Sequence, residues 1–82
     1  MLMDLDHSSI GYRIRTARLN SGLTQKQLAF QVHVTSPYLA TVERGLKNAS
    51  KALLKRIAAV TEAPLEWLID GVGVPNMPMG QY

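Results

Sequence analysis

Apolar residues recur at helical spacing in five successive segments of this 82-residue chain. In the first segment Ile10, Ile14 and Ala17 fall at i, i+4 and i+7, which places them on one face of a helix. A serine before the segment is a suitable N-cap, and Gly22 follows where helices often end in a left-handed residue. The pattern therefore predicts a helix over about residues 9–21.

Two short helices separated by a tight turn come next. Thr24 and Gln27 have the spacing of a capping box, which predicts a helix over about residues 25–32. Thr35 is a good N-cap for a third helix over about 36–44, with a proline in its first turn where the missing amide hydrogen costs little. The apolar positions expected to pack these helices against each other at a steep angle are Leu28, Ala29, Val34, Leu39 and Val42.

The fourth and fifth predicted helices complete an all-α domain. Ser50 caps the fourth, which should end near Thr61, and Pro64 is acceptable at the start of the fifth. Their apolar sides are Leu53, Leu54, Ile57, Ala58 and Val60, then Leu65, Leu68 and Ile69. No strand pattern is present, so we expect an N-terminal arm over 1–8, a five-helix domain over 9–70 and a flexible, Gly- and Pro-rich tail over 71–82.

Length and composition exclude several classes of protein. Eighty-two residues fit one small domain, and without cysteine the chain has neither disulfides nor thiolate metal ligands. The longest uninterrupted apolar run is Ile57–Val60 and the N-terminus opens on acidic residues, which excludes a membrane span and a signal peptide. We expect a cytoplasmic protein.

Charge is distributed unevenly along the chain. All nine Lys and Arg residues lie between Gly11 and Arg56, a segment whose single acid is Glu43, while the other five acids flank it. A basic segment of this kind suits a polyanionic partner, although a solvated Lys/Arg surface would look the same in a sequence.

The two short helices with their tight turn indicate a helix-turn-helix, whose second helix can enter the major groove of DNA. The outward positions of that helix are uncharged, so hydroxyl and methyl groups rather than Arg would meet the base edges. These positions are Ser36, Pro37, Tyr38, Ala40 and Thr41.

One combination of motifs carries a family resemblance. Gly22-Leu23-Thr24-Gln25 precedes the pair Leu28-Ala29, Val34-Thr35 follows, and Val42-Glu43-Arg44-Gly45 ends the unit. At these separations the chain resembles the lambda-repressor-like DNA-binding family of the Cro/CI type over about residues 10–70. The resemblance implies a five-helix fold with its helix-turn-helix unit at 24–43.

The resemblance also implies roles for individual residues. Base-reading positions are Ser36, Pro37 and Thr41, flanked by Tyr38, and phosphate contacts are expected from Gln25, Arg44, Lys47, Asn48 and Lys51. Arg18 is expected to pair with Glu43 as a structural ion pair. The dipole of the fourth helix would act with Lys51 on one phosphate.

Other basic residues, and three departures from the family pattern, qualify this assignment. Arg13 or Arg15 of the first helix could also meet a phosphate, whereas Lys55 and Arg56 are expected to be solvated. His33 and Glu62 stand where the family usually has Gly, and Ala49 where it usually has Pro. These differences bear on specificity rather than on the fold.

Catalysis, a metal and a cofactor are not expected. The two histidines, His7 and His33, lie far apart in the sequence, and no serine has a histidine and an acid at a suggestive spacing. The chain is not expected to be an enzyme.

Three hypotheses about function follow. The first is a sequence-specific regulator of double-stranded DNA, bacterial or from a phage and associated with the nucleoid, that represses transcription as a homodimer on a palindromic operator. The second is an antitoxin or adaptor that binds a protein, such as a toxin, through Trp67 and the tail. The third is the DNA-binding part of a larger repressor, with 71–82 as the start of a linker.

Overall fold

The computed structural model describes residues 9–71, and these form five α-helices and no strand. The all-α prediction is confirmed, and each predicted helix end agrees to within one residue. The expected arm over 1–8 and the expected tail from residue 72 onward lie outside the described residues. None of the helices from 9 to 71 is both long and apolar enough to cross a membrane. The helices are α1 (Ile10–Asn20), α2 (Gln25–Gln31), α3 (Ser36–Glu43), α4 (Lys51–Thr61) and α5 (Leu65–Asp70).

The first four helices begin in the same way, on a hydroxyl side chain. Each hydroxyl oxygen accepts the backbone amide three residues later, at distances of 3.0 to 3.2 Å. At Thr24 the bond is reciprocal, because Gln27 Oε1 accepts the Thr24 amide at 2.9 Å and completes the capping box. The four capping residues are Ser9, Thr24, Thr35 and Ser50.

Three helices also end in the same way, with a left-handed residue in a Schellman motif. The left-handed residue is Gly22 after α1, His33 after α2 and Gly45 after α3. In each motif the amide of the following residue donates to a carbonyl five residues earlier, as from Val34 to Ala29 at 3.0 Å. His33 therefore adopts, at φ 64°, the left-handed conformation that glycine usually adopts. Glu62 adopts the same conformation at the end of α4.

Every helix contributes one large side chain that is fully enclosed. These five side chains have no exposed surface, so the core is a single cluster in which no helix can be removed without opening it. They are Ile14, Leu28, Leu39, Ile57 and Leu68, taken in the order of the helices.

Two arginines, one buried and one exposed, donate to backbone carbonyls at the ends of other helices. Arg13 is 6% exposed, and its Nε and Nη2 donate to the carbonyls of Leu68 and Ile69 at 3.1 and 2.9 Å, which caps α5. Arg56 Nε donates to the Val32 carbonyl at 3.0 Å, at the end of α2. Arg13 is thus taken up by α5 and is not available to a phosphate. Arg56 is exposed, as expected of a solvated side chain, and makes this hydrogen bond in addition.

His33→Gly should stabilise the domain. A residue with a Cβ pays on the order of 1 kcal/mol in the left-handed region, and glycine relieves that cost while adding some entropy to the unfolded chain. We expect the free energy of unfolding in urea to rise by up to about 1 kcal/mol. His33→Ala is the matched control, since it removes the imidazole but keeps the strain. An equal gain from alanine would contradict the explanation.

Candidate nucleic-acid interface

The turn between α2 and α3 fixes the angle of the helix-turn-helix unit. It runs from the C-cap Val32 through left-handed His33 to Thr35, which caps α3. Leu28 and Leu39 are fully buried and Ala29 is 2% exposed, so the two helices bury one side of each against the other. The remaining side of α3 is left at the surface.

The surface side of α3 carries no charge. Pro37 is exposed, while Ser36, Ala40 and Thr41 are half-buried. Thr41 Oγ1 donates to the Pro37 carbonyl at 2.9 Å, one helical turn back. The one carboxylate of α3, Glu43, is 7% exposed and turned inward, and the helix has no Lys, Arg or His. The predicted base-reading side chains therefore share one surface.

Tyr38 is half-buried beside this surface and is tied to the loop after α3. Its hydroxyl donates to the Asn48 carbonyl at 3.4 Å. This contact connects a predicted base-reading residue with a predicted phosphate-contacting segment. The loop is thereby held against α3.

Glu43 is the acceptor in a buried network of three helices. Arg18 Nε donates to Glu43 Oε2 at 2.7 Å and Arg18 Nη2 to Glu43 Oε1 at 3.1 Å, so the pair is bidentate. Arg18 Nη1 donates to the Leu23 carbonyl at 2.9 Å, and Gln25 Nε2 donates to Glu43 Oε1 at 3.0 Å. These contacts join the last turn of α1, the turn after it, the first residue of α2 and the last residue of α3.

A cleft of about 250 Å³ opens above this network. Arg15 and Arg44 are its exposed cations, and the half-buried Gln25, which is bonded to Glu43, also lines it. Cations and an amide around an open cleft suit an anionic oxygen. The structure thus brings Gln25 and Arg44 together and adds Arg15, which the sequence left undecided. Its lining residues are Tyr12, Arg15, Arg18, Gln25, Glu43 and Arg44.

A second cleft, of about 360 Å³, lies where α1 begins beside the end of α3. Lys47, Asn48 and Ser9 are among the residues that line it. The close approach requires Gly11, because a Cβ there would lie 2.5 Å from the carbonyl oxygens of Val42 and Glu43. Two of the predicted phosphate-contacting residues therefore share this cleft.

Lys51 lines neither of these clefts. It is the exposed first residue of α4, directly after the N-cap Ser50. Its position at a helix N-terminus is the one that the sequence predicts.

Burial divides the nine cations of the basic segment. Arg13 and Arg18 are buried, and the other seven are exposed, although Arg56 also bonds to Val32. Within the described residues no group of three or more His, Cys, Asp or Glu side chains could hold a metal ion. The seven exposed cations make the surface of this segment positive, which suits a polyanionic partner.

Known protein sequences resemble most of the chain. A family model described as helix-turn-helix matches residues 14–68. An uncharacterized HTH-type transcriptional regulator of Mycobacterium tuberculosis is 37% identical over 64 residues, which make up 78% of this chain and 46% of that protein. The HTH-type transcriptional regulator SinR of Bacillus subtilis is 34% identical over 62 residues, 74% of this chain and 56% of SinR. The chain thus spans about half the length of these relatives, which are transcriptional regulators.

Solved structures share the fold. The N-terminal DNA-binding domain of SinR from Bacillus subtilis has a TM-score of 0.70 at 32% identity, covering 79% of this chain and 96% of that one. The structure of SinR in complex with DNA has a TM-score of 0.69 at 34% identity, covering 74% of this chain and 98% of that one. The structure of SinR in complex with SinI has a TM-score of 0.70 at 34% identity, covering 74% of this chain and 60% of that one. The P22 c2 repressor has a TM-score of 0.72 at 22% identity, covering 77% of this chain and 96% of that one. At this identity the match shows a common fold and nothing more.

Glu43→Gln should strongly destabilise the domain, because it leaves the buried Arg18 guanidinium without a counter-charge. Breaking a buried pair from one side typically costs about 3–5 kcal/mol, and we expect that range in the free energy of unfolding in urea. The double variant Arg18→Met with Glu43→Gln should recover part of the loss, because no charge is then left buried. Glu66→Gln, at an exposed carboxylate of α5, should change stability by less than about 0.5 kcal/mol. Strict additivity in the double variant would contradict the coupling.

Proposed function

The chain belongs to the Cro/CI-type helix-turn-helix family, and from this premise we propose that it is a sequence-specific regulator of transcription that binds double-stranded DNA. The observation that carries the proposal is the uncharged surface of α3, set beside clefts lined by exposed cations. The matches to SinR, whose structures include a complex with DNA, support it.

In this proposal α3 enters the major groove. Its N-terminal residues Ser36 and Pro37 and, one turn later, Thr41 meet base edges, with Tyr38 at the side. These contacts would distinguish one sequence from another. No base contact by Arg or Lys of α3 is available, because α3 contains neither residue.

Phosphate contacts position the protein in this proposal. Gln25 and Arg44 would bind one phosphate at the cleft above Glu43, and Lys47 and Asn48 would bind another at the second cleft. Lys51 and the amides of the first turn of α4 would act together on a third. Such contacts add affinity for any duplex and make it depend on salt.

A homodimer that represses from a palindromic operator is the finer form of the proposal. One domain of this size reads one half-site, and a two-fold pair would read two that are about 34 Å apart or a multiple of that. Leu65, Trp67 and Ile69 pack on the core but keep some exposed surface, which suits an interface on α5. The cytoplasm of a bacterium, at the nucleoid, is where such a regulator would act.

Selection of bound duplexes from a random pool tests the proposal directly. We expect an enriched, two-fold symmetric sequence, and footprinting on it should show two protected half-sites. The same protein should bind a scrambled duplex about 10³-fold or more weakly. Binding that is indifferent to sequence, with no enrichment after selection, would overturn the proposed function.

Lys51→Ala should weaken binding to all duplexes alike. If Lys51 neutralises one phosphate, its loss should lower the slope of log K against log salt by about 0.9 and leave the preferred sequence unchanged. Lys55→Ala is the matched control, an exposed lysine one turn further along the same helix. Its slope should remain at the value of the unmodified protein. A changed base preference in Lys51→Ala would contradict a phosphate role.

A second candidate function is that of an antitoxin or adaptor acting through a protein partner. The match to SinR in complex with SinI favours keeping it. In that case Trp67 and the segment 71–82 would form the contact surface, and co-purification should recover a stoichiometric small protein such as a toxin. Deletion of residues 71–82 should release that protein, and its retention would exclude the segment from the contact surface.

A further inference from the structure

The surface of α3 lacks the side chains that recognise purines and cytosine by paired hydrogen bonds. Guanine is usually bound by Arg or Lys, adenine by Asn or Gln, and cytosine by Asp or Glu. The eight residues of α3 include none of these except Glu43, whose carboxylate is buried against Arg18 and Gln25. Base recognition by α3 itself must therefore come from hydroxyl and apolar groups.

The hydroxyl groups of α3 are largely committed to the protein itself. Thr41 Oγ1 donates its proton to the Pro37 carbonyl at 2.9 Å, and the Tyr38 hydroxyl donates to the Asn48 carbonyl. The Thr41 bond also restricts χ1 to rotamers that bring Oγ1 to the preceding turn, which restricts the direction of the Cγ2 methyl. Ser36 is left as the one α3 hydroxyl with no hydrogen-bond partner among the described residues.

An apolar stripe remains on the same surface. Pro37, Ala40 and Thr41 follow each other at i, i+3 and i+4, so their ring and methyl groups lie side by side on one face of α3. Pro37 is exposed, and the other two are half-buried. No lysine or arginine interrupts the stripe within α3.

We propose that this stripe, Pro37, Ala40 and Thr41, recognises the C5-methyl groups of pyrimidines in the major groove. Thymine carries the one apolar group that the unmodified base edges present there. The inference rests on the proposed function and deepens it, because it specifies which feature of the duplex is read. Ordinary thymine and 5-methylcytosine carry the same methyl group, and the experiment separates them.

Thymine-to-deoxyuridine replacement in the selected duplex is the test. Each replacement removes one methyl group and keeps every hydrogen-bonding group of the base pair. With the full chain, we expect binding to weaken about fourfold at one to three thymines per half-site and not at the others, the effect of one buried methyl group. At those positions a C·G pair should bind weakly, and 5-methylcytosine paired with G should recover about fourfold.

Two variants of one residue connect the effect to the stripe. Thr41→Ser removes the Cγ2 methyl and keeps the hydroxyl, whereas Thr41→Val keeps a methyl and removes the hydroxyl. The deoxyuridine effect at one position should disappear in Thr41→Ser and persist in Thr41→Val, which is the signature of direct coupling. Circular dichroism of both variants confirms that they are folded.

The outcomes are distinguishable. Enrichment of a specific sequence whose affinity is indifferent to deoxyuridine would overturn methyl recognition and leave the proposed function standing. Failure to enrich any sequence would overturn the proposed function itself. Deoxyuridine effects that are unchanged in Thr41→Ser and in Pro37→Ala would overturn the assignment to the stripe, since DNA shape would then carry them.

Discussion

The buried carboxylate of Glu43 determines how α3 is held, and the arrangement of the first three helices depends on it. Arg18 binds both of its oxygens, and Gln25 shares one of them. Such a pair adds little net stability, but a single arrangement of the helices satisfies all its donors together. The contact of Gly11 with the Val42 and Glu43 carbonyls strengthens the constraint, because it brings the α1 backbone directly against the end of α3. Orientation, rather than stability, is what this interaction contributes.

Because the charged side chain of α3 is turned inward, uncharged groups and exposed cations lie on different neighbouring segments. The exposed face of α3 is left with ring, methyl and hydroxyl groups, while exposed cations come from α1 and from the residues that follow α3. In a protein that binds DNA, the first kind of group discriminates between bases and the second supplies affinity for the backbone. Both kinds of group are positioned by the same buried network, so changes to that network should affect both.

The sequence predicts the helices well because the signals that limit them are local. Ser9, Thr24, Thr35 and Ser50 each cap a helix through a bond to a residue three positions away. The roles of Arg13 and Arg56 could not be predicted, since their acceptors are backbone carbonyls 55 and 24 residues away. Every residue has a backbone carbonyl, so the sequence does not mark which one accepts the bond. The family resemblance predicts the ion pair between Arg18 and Glu43. The hydrogen bond from Gln25 to the same carboxylate is seen only in the structure.

The cap that Arg13 places on α5 has a consequence for how the domain opens. A six-residue helix is far too short to persist alone, yet its last carbonyls are bonded to a guanidinium rooted in α1. Local fraying of α5 would leave the buried Arg13 without these acceptors, so the first and last helices should open as one cooperative unit. Backbone amides of α5 would then exchange with solvent at rates set by global unfolding, and this short helix would be as protected as the core helices.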